Sequence, residues 1–271
     1  MEKKLISIIM SVYNAEKTIA TCIDSIIYQD YQNWEFIICD DCSTDSTYNI
    51  LKEYQSKDTR IKVIRNEKNS KLAFSLNHCL RYCSGVYVAR MDDDDISMPN
   101  RLSEQVEFLN NHPEYHLVGS CAYVDDGINE NSIKNVKEVP RKMDLLRGSP
   151  FMHPTIMIRK STMDELAGYT VAWRTQRGQD LDLWFRLYSK GFKGYNIQEP
   201  LLVYRRSLTD FKKISFKNNL MYFLTMLYGY RLLKVPFYKY FFTIKPLLSV
   251  IIPNRIKMKY HKNQRDKLKN D

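Results

Sequence analysis

The first half of the chain alternates short apolar runs with segments of helical periodicity, and this alternation constrains the fold more than any other feature. The runs are rich in β-branched residues, as buried strands are, and they occupy residues 5–10, 34–39, 61–64 and 86–91. Apolar residues at helical spacing follow; Ile19, Ile23 and Ile26, for example, share one helical face. This pattern predicts a Rossmann-like α/β fold, with a mostly parallel central sheet and helices on both faces.

Polar residues follow each of the four predicted strands. In such a sheet, ligands bind outside the carboxyl ends of the strands, which lie at one edge. We therefore expect one binding site to collect these residues. In chain order they are Ser11, Tyr13, Asn14, Asp40, Asp41, Arg65, Asn66, Asn69, Ser70, Lys71 and the run from Asp92 to Asp95.

The aspartate run is the most unusual of these segments. Two like charges about 4 Å apart repel by roughly 4 kcal/mol at an effective dielectric constant near 20. Because the run directly follows a buried strand, its carboxylates are partly desolvated and call for a cation. Mg²⁺ or Mn²⁺ suits them, since these ions prefer oxygen ligands and are usually held by one or two carboxylates together with substrate phosphates. The alternative is a solvated acidic loop.

Several other classes of site are disfavoured. Neither G-x-G-x-x-G nor G-x-x-x-x-G-K-[ST] occurs, which argues against a dinucleotide dehydrogenase and a P-loop enzyme. Cys39 and Cys42 have the spacing of a zinc or redox pair, but no second pair accompanies them. We therefore expect the six cysteines to be reduced thiols.

The C-terminal quarter is basic and aromatic. From Arg205 onward, 16 Lys and Arg stand against 3 Asp and Glu, a net charge of +13, whereas the preceding residues carry a net charge of −3. We divide the chain into an α/β domain over residues 1–205 and a helical, basic and aromatic extension over residues 206–271. Interleaved lysines and aromatics suit the anionic surface of a membrane. The uncharged run at 218–230 is shorter than the roughly 20 apolar residues of a membrane span.

We therefore expect a cytoplasmic protein that is peripheral on the inner face of the plasma membrane. Nucleic-acid binding is disfavoured, because no recognition module accompanies the charge. The alternative is that the extension simply packs on the main domain and that its lysines are solvated.

A second candidate segment begins at Gln179. Asp180 is predicted at the start of a helix after a glycine-containing loop, where an N-cap is the alternative role. Asp182 is expected to face another way and to lie at the surface. His153 lies at the beginning of a possible acceptor region, where a structural role competes with a functional one.

Four motifs, in this order, resemble those of glycosyltransferase family 2, which has the GT-A fold. They are Ser11-Val12-Tyr13-Asn14, Asp40-Asp41-x-Ser43-Thr44-Asp45, the segment MDDDDISMPNRL from Met91, and QDLDLWFRL from Gln179. The resemblance covers about residues 5–205. It implies a GT-A catalytic domain and an inverting enzyme. Such an enzyme moves a sugar from a nucleoside-diphosphate sugar, with a UDP-sugar expected, to a hydroxyl of a saccharide or lipid-linked saccharide in cell-surface polysaccharide synthesis.

The resemblance also implies roles for individual residues. Asp92-x-Asp94 matches the DxD motif of the family, so Asp94 would bind Mn²⁺ or Mg²⁺ on the donor diphosphate, with Asp92 near the metal or the ribose. Asp180 matches the catalytic base. Asp41 would accept a hydrogen bond from a nitrogen of the nucleotide base. The implied donor-binding residues are Ser11, Tyr13, Asp40, Asp41, Lys71, Asp92 and Asp93.

The chain departs from the family pattern at three places. Lys71 stands where the family often has glycine; either its ammonium group reaches the diphosphate, or the loop closes differently. Gln179 replaces the acidic residue that usually precedes the base. Arg206 and Ser207 follow Tyr204-Arg205 where the family often has a histidine, and Arg206 is expected to replace its charge. The alternative functions are a nucleotidyltransferase and a non-catalytic polyanion-binding protein.

Overall fold

The computed structural model describes residues 4–125, 132–205 and 215–247. Arg206 and Ser207, for which we made predictions, lie outside these residues. The strands within the described ranges are β1 (Ile6–Val12), β2 (Trp34–Asp40), β3 (Ile61–Arg65), β4 (Tyr87–Arg90), β5 (Ile96–Ser97), β6 (Leu117–Asp125), β7 (Ser132–Lys134), β8 (Met157–Arg159) and β9 (Gly194–Arg205). The α-helices there are α1 (Ile19–Ile27), α2 (Thr47–Lys57), α3 (Leu72–Leu80), α4 (Arg101–Asn111), α5 (Lys160–Glu165), α6 (Gln179–Ser189) and α7 (Phe216–Leu232).

The strands form one sheet in the order β3-β2-β1-β4-β8-β6-β9-β5, with β7 paired to β6. β1 pairs in parallel with both β2 and β4, and β2 pairs in parallel with β3. β8 is antiparallel to β4 and β6, whereas β9 is parallel to β6. Thus β5, β7 and β8 oppose the other strands, and the mostly parallel α/β fold predicted from the alternation is confirmed.

The register of the strands brings the predicted site residues to one edge. Val12 at the end of β1 is opposite Asp40 at the end of β2, and Asp40 is opposite Arg65 at the end of β3. Ile9 is opposite Arg90, the last residue of β4. The loops that follow β1, β2, β3 and β4 therefore start at the same edge of the sheet.

Apolar side chains cover both faces of this sheet. Successive strand residues point to opposite faces, so Ile8 packs with α1 and α4 through Ile23 and Leu102, whereas Ile9 packs with α3 and α6 through residues that include Leu76. Burial of each side chain of this size contributes roughly 1.5–3 kcal/mol to the stability of the folded protein. Burial on both faces explains why the strands are continuous apolar runs rather than alternating ones.

The first part of the C-terminal extension packs on the second of these layers. α7 contacts α6 so closely that a Cβ atom at Gly229 would lie 2.0 Å from the ring of Phe185. Tyr230 is fully buried, and its hydroxyl donates a hydrogen bond to the carbonyl of Leu146 at 2.8 Å. A 3₁₀ helix, Phe237–Ile244, follows. Throughout the described residues, no helix combines the length and apolar character needed to cross a bilayer.

Candidate active site

A cleft of about 800 Å³ opens where the loop after β4, the start of α3 and the start of α6 meet. Lys71, Asp92 and Asp180, which have predicted donor-binding, metal-binding or catalytic roles, line it, and so does the candidate residue His153. Side chains that were not predicted complete its walls; they include Lys134, Ser149, Phe151, Arg177, Tyr204 and Lys217. The cleft therefore combines two carboxylates, which can accept a proton, with several cationic side chains, which can bind a phosphorylated ligand.

Asp180 lies in the first turn of α6 but is not its N-cap. The helix begins at Gln179, and the capping position belongs to Gly178, whose φ of 93° suits glycine. Burial raises the pKa of Asp180 above its usual value, with a further contribution from the nearby charge of Asp92. The neighbouring backbone N–H groups of Asp180 and Leu181 and the hydroxyl of Ser149 favour the charged form, but burial outweighs them. A raised pKa makes this carboxylate a stronger proton acceptor than an ordinary aspartate.

Asp182 is fully buried, so the prediction that it lies at the surface was wrong. Its carboxylate pairs with Arg174 at 2.6 Å and Arg186 at 2.8 Å, and it accepts a hydrogen bond from Thr170 at 2.6 Å. Burial opposes its charge, but these partners outweigh burial and lower the pKa of Asp182. Because Arg174 belongs to the 3₁₀ helix Trp173–Gln176, which precedes the cleft residue Arg177, Asp182 fixes this loop against α6.

The four consecutive aspartates have four different environments. Asp92 pairs with Arg90 and faces the cleft. Asp93 accepts a hydrogen bond from the backbone N–H of Tyr13 at 3.4 Å. Asp94 is exposed. Asp95 is fully buried and accepts a hydrogen bond from the N–H of Arg205 at 3.0 Å, which ties the loop to the end of β9.

The protein supplies part of the positive charge that this run requires. Arg90 and Arg101 are buried beside it, and Arg101 also donates to the carbonyl of Arg90 at 2.7 Å. The compensation is incomplete, because burial and the neighbouring carboxylates Asp92 and Asp94 raise the pKa of Asp93 to about 7 and that of Asp95 to about 9.

These residues are compatible with a divalent cation. Asp92 faces the cleft and Asp94 is exposed, so both can offer the hard carboxylate oxygens that such an ion prefers. Within the described part of the chain, no three His, Cys, Asp or Glu side chains are grouped to hold a metal. Mg²⁺ and similar ions are usually held by one or two carboxylates together with substrate phosphates. Asp92 and Asp94 are the residues that would hold such an ion.

Asp40 and Asp41 already have protein partners. Asp40 is fully buried, pairs with Arg65 at 2.9 Å and accepts hydrogen bonds from the N–H of Ser43. Asp41 accepts from the N–H groups of Ser70 at 2.8 Å and Lys71 at 2.9 Å, and from Asn66 at 2.7 Å. Neither residue lines the cleft, and neither do Ser11, Tyr13, Asp93 and Asp94. In the structure, Asp41 shapes the loop that presents Lys71.

Lys71 has a backbone conformation that is normally reserved for glycine. Its φ of 73° and ψ of 164° fall in a region that costs a non-glycine residue of the order of 1–3 kcal/mol. This explains why glycine would be the ordinary residue at this position. Because the Lys71 side chain is exposed and lines the cleft, its ammonium group is available to an anionic ligand.

His153 lines the cleft but has a structural partner. It is buried, and its Nε2 lies 2.9 Å from the hydroxyl of Tyr169. Burial, together with the nearby charge of Arg90, lowers the pKa of His153 well below its usual value. The imidazole is therefore neutral at neutral pH, and this bond orients it.

Comparison with known proteins agrees with the class that the fold and the cleft define. The family model described as "Glycosyl transferase family 2" matches residues 7–167. EpsE of Bacillus subtilis (strain 168), named as a glycosyltransferase, is 42% identical over 260 residues, which are 96% of this chain and 94% of EpsE. TuaG of the same organism, named as a teichuronic acid biosynthesis glycosyltransferase, is 33% identical over 204 residues, or 75% of this chain and 79% of TuaG.

Solved structures show the same fold at low sequence identity. Residues 1–349 of S. aureus TarS, crystallised with UDP-GlcNAc, superpose with a TM-score of 0.68 at 18% identity, over 84% of this chain and 70% of that one. The mannosyltransferase PcManGT from Pyrobaculum calidifontis, solved with GDP-Man and Mn²⁺, gives a TM-score of 0.62 at 16% identity, over 96% of this chain and 79% of that one. The chain spans 42% of the longer TarS chain.

The fold is that of enzymes with the GT-A architecture. The chain belongs to glycosyltransferase family 2, and it is a glycosyltransferase.

Proposed function

We propose that this enzyme inverts the anomeric configuration of a UDP-sugar as it transfers the sugar to a hydroxyl of a saccharide or lipid-linked saccharide acceptor, in the synthesis of a cell-surface polysaccharide. The observation that carries the proposal is that Asp180, Asp92 and Lys71 line a single cleft. The names of two similar proteins support the pathway and the acceptor: TuaG in teichuronic acid biosynthesis, and WfgD of Escherichia coli, whose name describes glucosyl transfer from UDP-Glc to a GlcNAc linked to diphosphoundecaprenol.

Asp180 is the catalytic base of this proposal. Its carboxylate takes the proton of the acceptor hydroxyl while that oxygen attacks the anomeric carbon, and the bond from this carbon to the nucleoside diphosphate breaks. The raised pKa of Asp180 brings its basicity closer to that required near neutral pH. One carboxylate is sufficient for a direct displacement, and no covalent enzyme intermediate is needed.

The remaining residues bind the donor. Lys71 contacts its diphosphate, and Ser11, Tyr13 and Asp41 lie toward the base and ribose, with Asp41 acting partly through the loop that it orders. Asp92 and Asp94 would hold Mn²⁺ or Mg²⁺, which when bound stabilises the charge that develops on the departing diphosphate. Arg90 orients Asp92 through their ion pair.

The extension docks on an anionic membrane in this proposal. The 3₁₀ helix Phe237–Ile244 exposes Phe237, Tyr238 and Phe241 to 86%, 72% and 61%, with Lys234 and Lys239 beside them. Each Lys or Arg near anionic lipid contributes roughly 1 kcal/mol, and apolar aromatics add to this. Such docking would place the enzyme on the cytoplasmic face of the membrane, where a lipid-linked acceptor presents its reactive end.

Two experiments test these proposals. The purified protein is incubated with a panel of sugar nucleotides, Mn²⁺ and candidate acceptors, and released UDP is measured. UDP release that depends on an acceptor supports sugar transfer, whereas released inorganic diphosphate would support nucleotidyl transfer.

Membrane docking is tested by sedimentation with phosphatidylglycerol vesicles. Because α7 is part of the core, a Phe237→Ser, Phe241→Ser double variant is preferable to truncation. Equal sedimentation of wild type and variant would contradict docking through this surface.

A further inference from the structure

A second cavity, of about 580 Å³, lies between α7 and the 3₁₀ helices Lys142–Arg147 and Phe237–Ile244. We call it the α7 groove. Its lining is largely apolar and includes Leu146, Tyr222, Met226 and Phe242, whereas Arg147 and Lys245 add two cations. Among the described residues, no acidic side chain lines it. An apolar floor with cations suits a ligand that has an apolar chain and an anionic group.

The α7 groove and the active-site cleft share their walls. On α7, Lys217 and Met221 line the cleft, whereas Tyr222 and Met226 line the groove. The end of the 3₁₀ helix Lys142–Arg147 and the loop after it do the same, with Arg147 on the groove and Ser149 on the cleft. Two separate segments of the chain therefore contribute residues to both cavities.

Tyr222 lies in the wall between the groove and the cleft, and this wall is thin. A Cβ atom on Gly178, which lines the cleft, would lie 3.2 Å from the Tyr222 ring. A helix with its side chains is about 10–12 Å across, so the two cavities lie about one helix diameter apart. Lys217 lies on the cleft side of this wall, and Arg147 lies on the groove side.

We propose that the α7 groove binds the isoprenoid chain of an acceptor whose saccharide is attached through a diphosphate to a polyprenol. The sugar lies in the cleft beside Asp180, the diphosphate contacts Arg147 and Lys245, and the first isoprene units lie against Tyr222 and Phe242. This inference rests on the proposed function and narrows its acceptor to the lipid-linked class. A membrane phospholipid would account for the groove but not for its shared walls with the cleft.

Calorimetry with the full-length protein tests the assignment without any need for sugar transfer. The probes are farnesyl diphosphate, inorganic diphosphate and dihexanoyl phosphatidylglycerol. We expect farnesyl diphosphate to bind at least about tenfold more tightly than inorganic diphosphate, which is about 1.4 kcal/mol. Equal affinities for these two, or phosphatidylglycerol binding as tight as that of farnesyl diphosphate, would overturn the proposal.

Matched variants locate the binding. Phe242→Asp should remove the preference for farnesyl diphosphate, whereas Phe237→Asp, on the same 3₁₀ helix but outside the groove, should keep it. Arg147 is exposed, so Arg147→Ala tests the groove with little risk to folding; it should weaken farnesyl diphosphate binding severalfold, and Lys142→Ala on the same helix should not. Unchanged binding in both groove variants would refute the assignment. Acceptor-dependent UDP release is measured separately, so failure of the groove and failure of the glycosyltransferase proposal give different results.

Discussion

Replacement of Lys71 by glycine should stabilise the protein while it weakens donor binding. The backbone of Lys71 lies in a region that costs a non-glycine residue about 1–3 kcal/mol. Glycine removes this cost but increases the entropy of the unfolded chain, which offsets about 0.4–1 kcal/mol. Alanine removes the ammonium group and keeps the strained backbone, so it is the matched control. We expect the Gly variant to exceed the Ala variant by about 1 kcal/mol in free energy of unfolding.

The two variants should behave alike toward the donor. A hydrogen bond to a charged group contributes about 1.5–3 kcal/mol, and because Lys71 is exposed we take the lower end, which is about a tenfold loss of UDP affinity in both variants. Urea unfolding measures the stabilities, and calorimetry with UDP measures the affinities. The reasoning is refuted if the Gly variant is no more stable than the Ala variant, or if either variant binds UDP as tightly as the wild type.

Three other substitutions test separate parts of the site. Asp180→Asn should lower turnover by about 10²–10⁴-fold with unchanged UDP affinity. The activity of the wild type should fall as the pH drops through the raised pKa of Asp180, so the acidic limb of its pH profile should lie above the ordinary aspartate pKa of 3.8. A variant that only melts at a lower temperature would favour a structural role. Asp182→Asn should lower the free energy of unfolding by about 3 kcal/mol at neutral pH, because it breaks a buried pair with two arginines. Since folding lowers the pKa of Asp182, this difference should shrink as the pH falls below the pKa of an aspartate in the unfolded chain. Equal urea midpoints of the variant and the wild type at pH 7 would contradict the prediction. Asp94→Asn should reduce Mn²⁺-dependent turnover with an unchanged melting temperature, because the side chain is exposed. If the variant responds to added Mn²⁺ as the wild type does, Asp94 is not a metal ligand.

The sequence was sufficient for the parallel half of the sheet because its signals are local. Strand β1, for example, is a continuous apolar run, and the stripe of Ile19, Ile23 and Ile26 follows it within α1. The pairing of β4 with β8 was not predictable in the same way. Strand β8 has only three residues, and its Met157 pairs with Ala89 across a long separation in the chain, which no periodicity encodes.

The sequence predicted the sheet edge at which the candidate site lies, but few of its contacts. Of the polar residues expected at this edge, Lys71 and Asp92 line the cleft, whereas others such as Asp40 do not. The sequence did not indicate that Asp41 is engaged by the N–H groups of Ser70 and Lys71, because those bonds depend on how a loop closes about thirty residues later. Asp182 was misjudged because a polar residue on a helix resembles a solvated one until its partner Arg174 is known.

The residues that sequence reasoning missed came mostly from distant segments. Ser149 and Lys217 line the cleft, yet neither lies in a motif or at the end of a predicted parallel strand. Arg90 had a signal in the sequence, because it is a cation only two residues before the aspartate run and can pair with one of its carboxylates. The structure shows this pair between Arg90 and Asp92.

The anomeric configuration of the product tests the central claim most directly. The claim is a single displacement in which Asp180 deprotonates the acceptor and no enzyme carboxylate attacks the sugar. With an α-linked UDP-sugar as donor, proton NMR of the product should show a β linkage, formed by the wild type and lost in Asp180→Asn. An α linkage, or a wild-type yield of β product from the Asp180→Asn variant, would contradict the account.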